Sequence, residues 1–88
     1  MKSIIQKNKK CWCCGTTYGL ESHHVFFGSA NRKQSEKYGL KVWLCREHHH
    51  EVHHNHALDI NIKTYCQRTF EETHSREEFR QIFGKSWL

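Results

Sequence analysis

Two pairs of thiol and imidazole ligands stand on two-residue spacers in this chain: Cys11-x-x-Cys14, with Gly15 directly behind it, and Cys45-x-x-His48. That spacer lets two ligands from one turn meet one ion, and three thiolates with one imidazole close a zinc tetrahedron. Gly15 allows the backbone to turn back over the second sulfur. The competing reading is buried, unligated cysteine, which behaves as a small apolar residue. Two correctly spaced pairs weigh against it. Cys13 is the competitor inside the motif, and Cys66 falls on an apolar helix face, where a core residue belongs.

A second constellation is histidine alone. His23 and His24 are adjacent, and His49 and His53 are four apart. On a helix the latter two share a face about one turn apart, as two ligands of one ion require. On a strand the former two point to opposite faces, so that pair brings one ligand and one base. The alternatives are a plain surface cluster of histidines, or histidines that all serve one site promiscuously. The interleaving of the two sets, with His49 directly after His48, favours chemistry.

These residues need a frame. Residues 1–10 read as a basic arm, flexible or starting a short strand, and residues 11–88 as a single domain with a C-terminal helical extension. Residues 21–27 (ESHHVFF) and 40–45 (LKVWLC) have strand character, the second by alternation. Between them GSANRKQS, residues 28–35, reads as loop chemistry. The spacing predicts a short helix over 46–54. Leu58, Ile62, Tyr65, Cys66, Thr69 and Phe70 fit one face of a further helix, capped by Asp59 or Asn61. Ser75 and Glu78 form a capping box for a last helix over 76–83, closed by Gly84. The class is α+β.

Length and charge bound the function. The chain has 88 residues, 36% of them hydrophobic, with no proline, five cysteines and nine histidines. A domain of this size buries little apolar surface and needs a staple. An odd cysteine count argues against a closed disulfide framework. No apolar run approaches the ~20 residues of a membrane span, and residues 1–10 lack the apolar stretch of an export signal. The expectation is a reducing, cytoplasmic setting, where cysteines bind metal. Residues 1–46 carry nine Lys or Arg and only two acids, Glu21 and Glu36, while residues 47–88 carry five bases and seven acids. A basic half bearing aromatics points to a polyanionic partner, nucleic acid first. Trp12, Trp43, Phe26 and Phe27 are candidates for base stacking, with core packing the plainer role.

Taken in order, Cys11-x-x-Cys14-Gly15, Ser22-His23-His24-Val25, Leu44-Cys45-x-x-His48-His49 and His53 resemble the HNH nuclease family. More narrowly, the chain from Cys11 to Leu88 resembles small phage-encoded HNH-type proteins. Their middle reads like HHVFxGxxNRKxSEKYGL and their end like FEExHSREEFxxIFGKxxL. The resemblance implies a treble-clef zinc domain with a ββα-metal hairpin-helix core. It implies His23, His49 and His53 as ligands of a catalytic metal, with His54 competing for the last place, and His24 as general base. His48 stands where many members have a second cysteine of the structural site. The middle Asn of the family name has no counterpart ahead of the second strand, where Gly39-Leu40-Lys41 stands; Asn31 is the nearest candidate.

The activity implied by the resemblance is hydrolysis of phosphodiester bonds in DNA, by nicking, with 5′-phosphate and 3′-hydroxyl products. Arg32, Lys33, Lys37, Lys41 and the N-terminal lysines would hold phosphates in a sequence-blind, salt-dependent way. An all-histidine site favours Mn²⁺, Ni²⁺, Co²⁺ or Zn²⁺ over Mg²⁺, which wants oxygen. A structural Zn²⁺ would sit at Cys11, Cys14, Cys45 and His48. Phage relatives imply the cytoplasm of a bacterial host and a partner in DNA packaging or recombination. The alternative is a non-catalytic treble-clef module that binds nucleic acid or a phage protein. The missing Asn favours it; the histidines, for which such a module has no use, oppose it.

Overall fold

A computed structural model describes residues 3–88, the side chain of Ser29 apart. Its elements run β1 (Leu20–His24), α1 (Ser29–Tyr38), β2 (Lys41–Cys45), α2 (Arg46–Val52), α3 (His56–Phe70) and α4 (Arg76–Phe83). The architecture is a small α+β arrangement of one two-stranded antiparallel sheet and four helices. Pairing runs from Leu20 opposite Cys45 to His24 opposite Lys41. Strand alternation places Glu21, His23, Val42 and Leu44 on one face and Ser22, His24, Lys41 and Trp43 on the other. His23 is thus buried, whereas His24 keeps part of its surface.

Two strands alone are marginal in water, so helices must cover them. Val42 and Leu44 lie in a core with Val25, Leu40, Val52 and Ile62, and an aromatic cluster of Phe26, Phe70, Phe79 and Phe83 continues it. Phe79 sits at the centre, with ring centroids 5.2 Å from Phe26, 5.4 Å from Phe70 and 4.7 Å from Phe83. The C-terminal segment is tied down by Gln67, whose amide oxygen accepts from the Trp87 backbone N–H at 2.8 Å.

Several expectations need correction. The 28–35 stretch is not a loop: from Ser29 it is helical, and α1 runs on to a left-handed Gly39 cap. Gly, Ser and Asn read as punctuation, but Ala30, Arg32, Lys33, Gln34, Glu36 and Lys37 are good helix formers and outweigh them. Ser35 docks this helix, its hydroxyl donating to the Phe26 carbonyl at 2.7 Å and accepting from the Phe26 N–H at 3.2 Å. β1 ends at His24 rather than Phe27, because Val25 and Phe26 turn into the core. The helix expected to reach His54 ends at Val52, with His53 as its C-cap. α3 is capped by neither Asp59 nor Asn61 but by Asn55, whose side chain accepts from Leu58 N–H at 3.1 Å. Asp59 instead pairs along that helix with Lys63 at 2.8 Å. The Ser75–Glu78 capping box and the Gly84 cap of α4 stand as read.

Of the expected arm, Met1 and Lys2 lie outside the described residues. The next residues lie against β2 and the turn that precedes it: Ile4 N–H donates to the Gly39 carbonyl at 3.0 Å, and the Gln6 side-chain oxygen accepts from Trp43 N–H at 2.7 Å. Among the described residues no helix is long and apolar enough to cross a membrane.

Candidate active site and metal centre

The first candidate metal centre forms where a turn meets a strand end. Cys11 N–H donates to the Thr16 carbonyl and Gly15 N–H to the Cys11 carbonyl, each at 2.9 Å, and Gly15 takes a φ of 77° to close the turn. Trp12 N–H donates to the Trp43 carbonyl at 2.8 Å, which fastens this knuckle to β2. Cys45 ends β2 and caps α2, so His48 lies in the first turn of that helix. The ligand atoms of Cys11, Cys14, Cys45 and His48 all fall within 4.8 Å of one another.

Their spacing tests the fit. A zinc tetrahedron with bonds of ~2.3 Å to sulfur and ~2.0 Å to nitrogen has S···S edges of about 3.8 Å and S···N edges of about 3.5 Å. Cys14 Sγ lies 3.9 Å from Cys45 Sγ, and His48 Nδ1 lies 3.7 Å from Cys11 Sγ and 3.2 Å from Cys45 Sγ. Burial opposes ionisation of the Cys11 thiol. Hydrogen bonds from the backbone at Cys45, Cys14 and Cys13 outweigh it and bring the pKa down to about 6, toward the ligating thiolate. The cluster is compatible with a structural metal. Cys13 is exposed and not one of the four, and Cys66 is buried in the core.

The second cluster gathers His23 from β1, His49 from α2 and His53 at the end of α2, again within 4.8 Å. Three imidazoles bonded at ~2.1 Å to one ion at tetrahedral angles set their ring centroids about 5.2 Å apart. The observed separations are 5.2 Å for His23–His49, 5.4 Å for His23–His53 and 5.3 Å for His49–His53, a near-equilateral triangle. His23 Nε2 is buried with no hydrogen-bond partner among the described residues. Such an orphan is costly unless something else satisfies it. Burial of the ring, with His49, His53 and His24 beside it, pushes the His23 pKa down to about 3. Burial and His49 lower His53 as well. Neutral imidazole is the form that ligates. His49 Nδ1 hydrogen-bonds Glu21 Oε1 at 2.7 Å, a contact that orients the ring, as outer carboxylates do at metal sites. His54 is not in this set; it pairs with His50 on the exposed side, centroids 4.4 Å apart.

A cavity of about 200 Å³ opens on this triangle, lined by Ser22, His23, His24, Phe27, Arg32, His49 and His53. His24 and Arg32 also line an adjoining hollow with Lys33 and Glu36. The helix α1 thus carries Arg32 to the rim of the histidine site, while Asn31 lies in its first turn. Lys37 is exposed on the same helix. Lys41 does not belong with these bases. It is 0% exposed, and its ammonium bonds the Glu36 carboxylate, so it is withdrawn from any surface that meets a phosphate. Phe26 is core and Trp12 packs on Tyr65 at 4.8 Å. Trp43 lies beneath Lys9 Nζ at 4.6 Å, and Phe27, 45% exposed, walls the cavity.

Sequence reasoning missed Glu21 and Glu36 as site residues. One signal was available: they are the only acids in a half-chain with nine bases, and each hydrogen-bonds a histidine of this cleft. Comparison with protein-family models, curated proteins and solved structures gives no match.

Proposed function

We propose that the chain is a metal-dependent endonuclease that hydrolyses phosphodiester bonds in DNA, of the HNH kind its motifs resemble. The observation that carries this reading is the near-equilateral His23, His49, His53 triangle, sharing one cavity with His24 and Arg32. A site that uses three protein ligands and leaves a side open has the form of a catalytic centre, whereas a four-ligand site is closed. His23, His49 and His53 would hold a divalent transition metal, Mn²⁺, Ni²⁺, Co²⁺ or Zn²⁺ in preference to Mg²⁺. Bound there, such an ion supplies Lewis-acid stabilisation of charge on phosphoryl and leaving oxygens.

The chain's own residues do the rest. His24 takes the proton of the attacking water as general base. Arg32 holds a phosphate oxygen at the rim, with Lys33 and Lys37 along the same helix adding sequence-blind affinity. The closed Cys11, Cys14, Cys45, His48 set would take structural Zn²⁺ and make the domain a treble clef around a ββα-metal core.

The test is plasmid nicking in Mn²⁺ together with metal counting. His24→Ala should keep two ions per chain and lose activity by about 10²–10⁴-fold, the usual worth of a general base. His49→Ala should keep one ion and be inactive. One ion in the wild type with no nicking would leave a non-catalytic zinc module that binds nucleic acid or a protein. Loss of the second ion in His24→Ala but not in His23→Ala would exchange the roles of those two residues.

A further inference from the structure

We propose that Glu36 is a positioning residue for His24, held in place by the buried Lys41. Three elements meet here. His24 comes from β1, Glu36 from α1 and Lys41 from β2, and His24 and Lys41 are cross-strand partners. His24 Nε2 lies 3.1 Å from Glu36 Oε1, while Lys41 Nζ bonds Oε2 of the same carboxylate. One carboxylate therefore spans both residues, one oxygen each.

A buried ammonium without a counter-charge is strongly destabilising, so Lys41 fixes where Glu36 sits. Hydrogen bonds from Lys41 and then His24 hold the Glu36 carboxyl below the usual carboxylate range, so it is ionised at neutral pH. An ionised carboxylate only accepts hydrogen bonds. Neutral His24 must then carry its proton on Nε2 and leave the lone pair on Nδ1, where a free imidazole would populate both tautomers and turn about its bonds. The catalytic consequence, a base of fixed orientation and tautomer, rests on the nuclease reading above.

One further observation favours this role over mere neutralisation of Lys41. Glu21, the only other acid of the basic half, also hydrogen-bonds a histidine of the cleft, His49, at Nδ1 and 2.7 Å.

The deciding experiment is ¹⁵N NMR of the histidine rings in the full, zinc-loaded chain at neutral pH, with nicking measured alongside. Wild type should show His24 protonated on Nε2 and bare on Nδ1. In Glu36→Gln, Lys41 has only donors and claims the single amide oxygen, so the amide N–H₂ faces His24 and the tautomer should reverse. Nicking kcat should then fall by about 10²–10⁴-fold, without a rise in KM for plasmid. A structural role for Glu36 would leave the tautomer unmoved. An unchanged Nε2–H signal in Glu36→Gln, or Nδ1–H in the wild type, overturns the proposal. If Glu36→Gln fails to fold, Glu36→Ala/Lys41→Met removes both charges together, a change often tolerated. That variant should populate both His24 tautomers, and a single Nε2–H form in it overturns the proposal. If the wild type shows the expected tautomer but nicks nothing, Glu36 keeps its role at the ring and the nuclease reading alone fails.

Discussion

Cys14→Ser isolates the worth of the first candidate metal centre, because Cys14 is exposed and its replacement removes one of the four thiol and imidazole groups without opening the core. Cys13 is its matched control: adjacent, also exposed and outside the ligand set. Domains of this kind are stable by roughly 0.05–0.15 kcal/mol per residue, about 4–13 kcal/mol for a chain of this length. Structural zinc binding contributes ~10–16 kcal/mol in small domains, so a zinc ion held by these four residues would be worth as much as the whole fold. Shared over four ligands, that is about 2.5–4 kcal/mol for each. At about 4–8 °C per kcal/mol for a domain of this size, Cys14→Ser should melt about 10–30 °C below wild type and bind its structural zinc more weakly. Cys13→Ser, an ordinary surface change, should stay within about 0.5 kcal/mol. The assay is circular dichroism melting with zinc counted on the same samples, and excess chelator should unfold the wild type. Equal melting of the two variants, with zinc retained, would refute the four-ligand assignment.

If the chain binds DNA as proposed, Arg32→Ala/Lys33→Ala should flatten the slope of log DNA affinity against log salt by about 1.8, at ~0.9 for each phosphate no longer neutralised, whereas Lys41→Met should leave the slope unchanged because Lys41 is buried; equal slopes for the wild type and both variants would refute the role proposed for α1. Burial pushes the Cys66 thiol up, so it should resist iodoacetamide at pH 8 in the native chain and react once denatured, as mass mapping of the alkylated sites will show. Phe79→Ala empties the centre of the aromatic cluster and should cost about 3–5 kcal/mol, lowering the melting temperature by at least about 12 °C; a drop under about 5 °C would mean that the C-terminal helix is not part of the core.

The candidate ligands were legible in the chain, and so was part of what carries them. Two-residue spacers and an i, i+4 histidine pair are local facts, set by turn and helix geometry within a few residues. The Cys11, Cys14, Cys45 and His48 set needed no fold to be named, and neither did the capping box at Ser75. What the chain could not state was anything decided between segments. The helix α1 hid behind Gly28, Ser29 and Asn31, because local punctuation was read without Ser35, which gains its bonds only when Phe26 is brought against it. The choice of His53 over His54 was open in sequence, since each stands four residues after another histidine. It closed only when His23 on a separate strand set the third corner. Lys41 reads as one more base of a basic half, but strand pairing buries it and turns its charge inward onto Glu36. Residue type fixes what a side chain can bond. Which partner it meets is a property of register and helix placement, and those are settled by long-range burial of apolar surface rather than by any neighbour along the chain.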